Sequence, residues 1–293
     1  WRSSSTGGAA ISRREIFQRR QEDVSTQSEG TLIALDQEQN ARIQLTGRMI
    51  QRPMEVLMKV AEGIRNNVPS TPRNLMLVGA PSTGKTQVVM RAAALAGVPN
   101  FELVTGRAMY VGESERRTRL QLQLLREQSN CMAILDEVEH LLPLDRAQGN
   151  GDSGVSNSLQ GLYQTFLADS SLSGRLAMVA TSNRPFAISE AMRQRWVFLP
   201  AFSALKEDLA DILKAMLGQL GVNDVTPDAL AKAADEFHQR LASPREMREA
   251  FVAARSLAAP TATTDETILL AARSMIGGTD HGSVLLGALS ALQ

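Results

Sequence analysis

Short apolar runs alternate with helix-like segments between residues 75 and 200. Five such runs are bounded by loop residues: LMLVG (75–79), NFELV (100–104), CMAILDE (131–137), RLAMVATSN (175–183) and WVFLP (196–200). Runs of this length and composition are typical of strands that are buried on both faces. The segments between them have apolar residues at helical spacing, as in TQVVMRAAALAG, which ends at Gly97. The alternation predicts an α/β fold, with a parallel sheet of five strands and helices on both faces.

The pattern changes after Pro200, where the sequence contains no further strand-like run. Ser243 and Glu246 have the spacing of a capping box, and Thr226 precedes a proline at a first helical position. We therefore predict a second, all-helical domain over residues 201–293.

The N-terminal segment has a different composition from both domains. Residues 11–45 are rich in Gln, Glu and Arg, with sparse apolar positions, which predicts one or two surface helices. Apolar residues then recur at helical spacing over 48–65. The predicted division is an N-terminal arm (1–45), an αβα domain (46–200) and a helical lid (201–293).

Composition narrows the class of protein. The 293 residues are 43% hydrophobic with a formal net charge of +0, which excludes a disordered chain. No apolar run reaches the ~18 residues of a membrane span. The balanced charge argues against nucleic acid as a partner, because no net positive charge would attract the protein to it. The single cysteine, Cys131, fits the cytoplasm or another reducing compartment.

A glycine-rich motif joins the first predicted strand to the first helix of the αβα domain. It reads Gly79-Ala80-Pro81-Ser82-Thr83-Gly84-Lys85-Thr86, which matches GxxxxGKT. The backbone N–H groups of such a loop cradle phosphates at a helix N-terminus. Lys85 is expected to contact the β and γ phosphates, and the Thr86 hydroxyl is expected to bind Mg²⁺. The motif predicts ATP and Mg²⁺ as cofactors.

Polar residues end two of the other predicted strands. Asp136 and Glu137 end an apolar run, where two acids are costly unless they hold a charged group. We expect Asp136 to hold Mg²⁺ through water and Glu137 to deprotonate the attacking water. Asn183 ends the next strand and is expected to hold that water against the γ phosphate.

Three arginines and one glycine complete the predicted nucleotide site. Arg193 and Arg195 are either surface arginines or an arginine finger placed in the site of a neighbouring subunit. Arg245 either forms a local ion pair at a helix start or senses the γ phosphate from the lid. Gly47 marks the loop before the 48–65 helix and is assigned to the same site.

Tyr110 lies between the second strand and the next helix, beside Val111 and Gly112. It is either an aromatic side chain packed beneath a loop or a residue that grips a substrate. The three histidines are scattered without metal-ligand spacing, and Cys131 enters a buried strand as a packing residue.

Taken together, these motifs resemble those of AAA+ ATPases over roughly residues 45–260. They are most similar to the clade of katanin, spastin, the ESCRT-disassembly ATPase and the FtsH proteases. The similarity lies in YVGESE (110–115), AILDEVEHLLP and ATSNRP. The resemblance implies an αβα P-loop domain with a helical lid, assembled as a hexameric ring with ATP at the subunit interfaces.

The resemblance also implies roles for individual residues. Asn183 would be sensor 1, and Tyr110 with Val111 would form the pore loop that grips a polypeptide. Two features depart from the family pattern: the segment RxxRFDR is shortened to RQRW, which leaves the finger between Arg195 and Arg193, and Arg245 supplies a sensor 2 arginine that katanin-like members usually lack.

The function that these features favour is an ATP-driven remodeller of a protein client. Two alternatives of different classes remain at this point. One is a nucleotide-dependent regulatory switch or scaffold, and the other is a motor or loader acting on nucleic acid.

Overall fold

A mixed six-stranded sheet with helices on both faces forms the core of the protein. The computed structural model describes residues 23–104, 111–128, 130–141, 153–259 and 262–275. The strands are β1 (Leu32–Ala34), β2 (Asn74–Val78), β3 (Asn100–Leu103), β4 (Cys131–Leu135), β5 (Leu176–Ser182) and β6 (Val197–Pro200). The helices of this part are α1 (Gln37–Ala41), α2 (Arg48–Arg65), α3 (Lys85–Ala96), α4 (Val111–Glu127), α5 (Val138–Leu141), α6 (Ser153–Ala168) and α7 (Glu190–Arg193).

The strand order across the sheet is β1-β3-β4-β5-β2-β6. All neighbours from β3 to β6 run parallel, so the five predicted parallel strands are confirmed. The carboxyl ends of β4, β5 and β2 therefore meet at one edge of the sheet. This edge is where the sequence places its acidic, amide and glycine-rich motifs.

The sixth strand, β1, corrects part of the prediction of one or two surface helices over residues 11–45. Residues 23–27 and α1 are helical, and residues 11–22 lie outside the described residues. Residues 32–34 instead pair antiparallel with β3, placing Leu32 opposite Leu103, and α1 is the short helix that follows. The backbone N–H of Val104 donates to the Thr31 carbonyl at 2.8 Å, and Leu32 is fully buried. The pairing forms because β3 would otherwise be an edge strand with unpaired backbone groups.

Alternate residues of the central strands build two separate cores. Met76 faces one side of the sheet, where it belongs to the same cluster as Phe166 of α6. Leu77 faces the other side, in a cluster with Leu57 of α2 and Val88 of α3. This period of two explains why the central strands are apolar on both faces.

The helical region beyond β6 has a core of its own. Its helices are α8 (Leu209–Gln219), α9 (Pro227–Gln239), α10 (Pro244–Leu257) and α11 (Thr264–Ser274). The predicted capping box at the start of α10 is present, since the Ser243 and Glu246 side chains each accept from the other's backbone N–H. At the start of α2, the backbone N–H and Nε of Arg48 donate to the Asp208 carboxylate at 2.7 and 2.9 Å. This contact joins the αβα region to the first lid helix.

No helix in the described ranges is both long and apolar enough to cross a membrane.

Candidate functional site

The glycine-rich loop after β2 is shaped by close contacts that exclude side chains. A Cβ atom on Gly79 would lie 1.9 Å from the Ala201 carbonyl oxygen, so this position requires glycine. Gly84 has φ +80°, a conformation that favours glycine, and directly precedes α3. The loop therefore delivers its backbone to the start of a helix with no side chain in the way.

The backbone N–H groups of residues 82–87 are available to bind an anion. Within the described ranges, no oxygen accepts a hydrogen bond from any of them, and Val88 is the first to donate, to the Gly84 carbonyl at 2.9 Å. Consecutive free N–H groups at a helix N-terminus carry partial positive charge and bind phosphate. The loop is thus chemically suited to the β phosphate of a nucleotide.

Lys85 is the first residue of α3, directly after this loop, with 7% of its surface exposed. Its Nζ donates to the carbonyls of Gly79 and Ala80 at 3.1 and 2.7 Å, and to Oδ1 of Asn183 at 2.7 Å. Burial lowers the pKa of Lys85 to about 8, while the nearby Asp136 and other carboxylates raise it. The lysine is therefore a desolvated cation, which phosphate oxygens would stabilise.

Asp136 lies at the end of β4 beside the Thr86 hydroxyl. Thr86 Oγ1 donates to Asp136 Oδ1 at 2.9 Å, and the Thr181 hydroxyl of β5 donates to the same oxygen. Hydroxyl and carboxylate oxygens are the ligands that Mg²⁺ prefers in proteins. The oxygen donors present therefore fit the predicted ion.

Glu137 follows Asp136 and has a strained backbone. Its φ is +47°, the left-handed region that a residue with a side chain seldom occupies. Its backbone N–H donates to Thr181 Oγ1 at 3.1 Å, and its carboxylate is 56% exposed, 3.7 Å from His140 Nε2. The exposed carboxylate is accessible to a water molecule.

Asn183 follows β5 and is held on both sides. Its Oδ1 accepts from Lys85, and its backbone N–H donates to Glu139 Oε1 at 3.0 Å. Lys85, Thr86, Asp136 and Asn183 are thus linked by hydrogen bonds at one edge of the sheet, and Glu137 lies next to Asp136. Sequence reasoning missed Thr181 and Glu139. Glu139 follows the acidic pair closely, which was an available signal, whereas a threonine inside a strand gives none.

The two candidate finger arginines lie far from this edge. Asn74, the first residue of β2, donates its side-chain N–H to the Arg195 carbonyl at 3.2 Å. Gly79 lies five residues further along the chain than Asn74, which is about 16 Å at 3.3 Å per residue. Arg193 ends α7, two residues earlier. The structure therefore places both arginines at the amino ends of the strands, opposite the glycine-rich loop.

The other predicted site residues are Arg245, Gly47, Tyr110 and Val111. The Arg245 side chain is 77% exposed, and its Nε lies 3.4 Å from Glu249 Oε1. Gly47 has φ +111°, and a Cβ atom there would lie 3.4 Å from Ile212 Cδ1 of α8. Tyr110 and the side chain of Val111 lie outside the described residues.

A P-loop nucleoside triphosphatase domain is the class that this fold and site define. Residues 75–200 match the model of the ATPase family associated with various cellular activities (AAA). The chain thus carries an AAA ATPase domain, and the resemblance to AAA+ ATPases is confirmed.

Known proteins support this assignment. The chain is 28% identical to Fidgetin-like protein 1 of Rattus norvegicus over 173 residues, which is 57% of this chain and 25% of that protein. It is 30% identical to the ATP-dependent zinc metalloprotease FtsH 1 of Salinibacter ruber (strain M8), over 64% of this chain and 29% of that protein. The chain thus spans about a quarter of the length of these relatives.

A solved structure matches the fold over nearly the whole chain. The crystal structure of the FIGL-1 AAA domain in complex with ADP has a TM-score of 0.68 at 20% identity, covering 92% of this chain and 95% of that one. At this identity the likeness supports the fold alone.

The desolvation of Lys85 predicts a pH dependence of ATP binding. Because bound phosphates stabilise the charged lysine, its pKa rises in the complex, and affinity must fall as the free protein loses this proton above pH 8. The Kd for ATP at pH 9 should be about tenfold higher than at pH 7, since ATP itself stays ionised across this range. Titration of a fluorescent ATP analogue at each pH measures this.

The matched control for this prediction is Lys85→Arg. A guanidinium stays charged throughout, so the variant's Kd should not change between pH 7 and 9, whatever its absolute value. A wild-type Kd that is equally flat would show that Lys85 keeps its proton in this range.

Proposed function

We propose that this protein hydrolyses ATP and uses the cycle to remodel a protein client. The observation that carries the first part is the convergence of Lys85, Thr86, Asp136 and Asn183 at the carboxyl edge of the sheet. AAA homologues of this chain support ATP hydrolysis. The remodelling activity is the role typical of the relatives whose motifs the chain shares.

In this proposal each polar group has a separate task. The free N–H groups of residues 82–87 and Lys85 bind the phosphates. Thr86 and Asp136 hold Mg²⁺, which neutralises charge on the phosphoryl oxygens. Glu137 takes a proton from the attacking water, and Asn183 orients that water. Gly47, whose φ of +111° disfavours any residue with a side chain, borders the nucleotide on the lid side.

The position of Arg195 favours a shared site between subunits. It lies at the end of the sheet opposite the glycine-rich loop and cannot reach a nucleotide bound to its own chain. A neighbour in a ring would bring the two ends together, so we propose a homo-oligomer, with six subunits as in the family that it resembles. Arg193 is the second candidate for the same role.

Arg245 is proposed to report the state of the nucleotide to the lid. It is exposed at the first turn of α10 and pairs loosely with Glu249, so little holds it in place.

We place the protein in the cytoplasm or another reducing compartment. Cys131 is fully buried and burial raises its pKa to about 12, so the thiol is unreactive.

The remodelling activity is tested by Tyr110→Ala. An aromatic side chain can pack between the side chains of a client with little sequence preference, because it offers broad apolar area at small entropic cost. The variant should keep basal ATPase activity and lose stimulation by fluorescein-labelled casein, an unstructured protein used as the probe. ATP turnover with and without casein is the measurement.

Tyr110→Phe is the matched control and should keep the stimulation, because the ring face and not the hydroxyl makes the contact. If wild type and Tyr110→Ala respond equally to casein, Tyr110 does not grip the client, and the regulatory switch becomes the better description. If Tyr110→Ala is unfolded in circular dichroism, Tyr110 is a packing residue.

A further inference from the structure

Two side chains link the ends of β4 and β5 in opposite directions. Thr181 of β5 bonds to the acidic pair after β4, and Glu139 after β4 bonds to Asn183 after β5. The parallel register, with Leu135 opposite Ala180, brings these ends side by side. We call Thr181 and Glu139, with these bonds, the cross-strand clamp.

The Thr181 hydroxyl is both a hydrogen-bond donor and a hydrogen-bond acceptor. The O–H donates to Asp136 Oδ1, and the oxygen accepts the Glu137 N–H at 3.1 Å. The side chain is 1% exposed, so water cannot replace either bond. A single buried hydroxyl therefore contacts both acidic residues: with Thr86 it orients the Asp136 carboxylate, and it also holds the backbone of Glu137.

The bond to Glu137 matters because of that residue's conformation. A φ of +47° is strained for glutamate and persists where surrounding contacts maintain it. The N–H bond to Thr181 is such a contact. Without it, Glu137 can relax toward an ordinary conformation and turn its carboxylate away from the site.

Glu139 forms the second half of the clamp. It is 7% exposed, and its Oε1 accepts the Asn183 N–H at 3.0 Å. Its Oε2 is buried and has no hydrogen-bond partner among the described residues. A carboxylate kept in such a costly position, beside the residue that contacts Lys85, indicates a role beyond packing.

We infer that Thr181 and Glu139 are positioning residues that set the distance between Glu137 and Asn183. This inference rests on the proposed function, in which Glu137 takes a proton from the attacking water and Asn183 orients that water. Neither clamp residue bonds to the glycine-rich loop in the described structure. The clamp therefore acts on the chemical step and on the ion held by Asp136, and it leaves the phosphate-binding N–H groups unchanged.

Thr181→Val is the most direct test because it replaces the hydroxyl with a methyl group of similar shape. We expect kcat for ATP hydrolysis to fall about 10–100-fold, the range seen when a partner of a metal-bound residue is removed. KM for ATP should rise much less. Thr181→Ser keeps the hydroxyl and should recover most of kcat, which a role in shape alone would not produce.

A second readout does not depend on turnover. Binding of a fluorescent ADP analogue is titrated at increasing Mg²⁺ concentration. Thr181→Val should need about tenfold more Mg²⁺ for half-maximal effect, because its Asp136 carboxylate loses one of the two hydroxyl donors that orient it. Thr181→Ser should match wild type. Thermal unfolding in the absence of nucleotide checks that both variants are folded.

Glu139 is tested by an independent pair. Glu139→Gln keeps a carbonyl oxygen for the Asn183 N–H and should retain kcat. Glu139→Leu removes the acceptor and should lower kcat tenfold or more, with a much smaller effect on ADP binding.

The outcomes separate the clamp from the proposed function. A Thr181→Val variant with wild-type kcat and Mg²⁺ dependence overturns the clamp, and so do equal losses in Thr181→Val and Thr181→Ser. If the wild type itself does not hydrolyse ATP, the proposed function fails. The Mg²⁺ dependence of ADP binding then still decides whether Thr181 positions Asp136.

Discussion

Replacing Glu137 with glutamine is expected to lower kcat for ATP hydrolysis about 10²–10⁴-fold while ATP binding is retained. This range is the usual contribution of a positioned general base. Glutamine has nearly the shape of glutamate, but its amide cannot accept the proton of the attacking water. The Glu137 backbone bond to Thr181 does not involve the side chain, so the local conformation should persist.

The measurement pairs steady-state phosphate release with binding of a fluorescent ATP analogue. Lys85→Met is the comparison variant, and it should lose binding as well as turnover because the buried cation is gone. Normal turnover by Glu137→Gln would exclude Glu137 as the base. A variant that neither binds nor turns over would point to a role in folding the site.

The parallel strands could be predicted from sequence because their apolar composition indicates strands that are buried on both faces of the sheet. The residues of the runs at 131–135 and 176–182 are all buried, so neither strand has a solvent-exposed face that would require alternating polar residues. The glycine-rich loop could be predicted for a similar reason. Its geometry is local, and glycine at positions 79 and 84 follows from close contact or positive φ.

Strand β1 could not be predicted because nothing local favours it. Its three residues follow a polar segment, and only Leu32 is fully buried. The strand exists because the edge of β3 offers backbone partners some seventy residues away in sequence. Tertiary contacts of this kind override local propensity.

The proposed catalytic residues could be predicted individually from the sequence, but the connections between them could not. Asp136, Glu137 and Asn183 stand out as polar residues ending apolar runs. Thr181 does not, since threonine is common in strands. Its importance comes from the register of β5 against β4, and register is invisible in a single sequence.

The proposed site shared between subunits depends on the face of the chain that carries Arg195. That face borders a groove of about 490 Å³ lined by Arg126, Gln164, Thr165, Ala168, Asp169 and Arg195. The two arginines beside this groove carry positive charge. This charge is complementary to the phosphates and the exposed Glu137 carboxylate at the nucleotide-binding edge of a neighbouring subunit.

Arg195→Ala is therefore expected to reduce ATPase activity of the assembled protein about 10³–10⁵-fold, the contribution of an arginine finger where it acts. The wild-type activity per chain should also fall on dilution, because each site needs a neighbour. Arg193→Ala, made in parallel, serves as the comparison. Whichever variant loses more activity at the same degree of assembly identifies the finger.

Mixing two inactive variants tests whether the site is shared. Arg195→Ala subunits keep Glu137, and Glu137→Gln subunits keep Arg195. Random assembly places some intact arginines against intact glutamates, so activity should reappear in the mixture if Arg195 acts on the neighbouring subunit. A mixture as inactive as its components, in rings shown to contain both, would confine each site to one chain. Because about 16 Å of strand separates Arg195 from the glycine-rich loop of its own subunit, we expect activity to return.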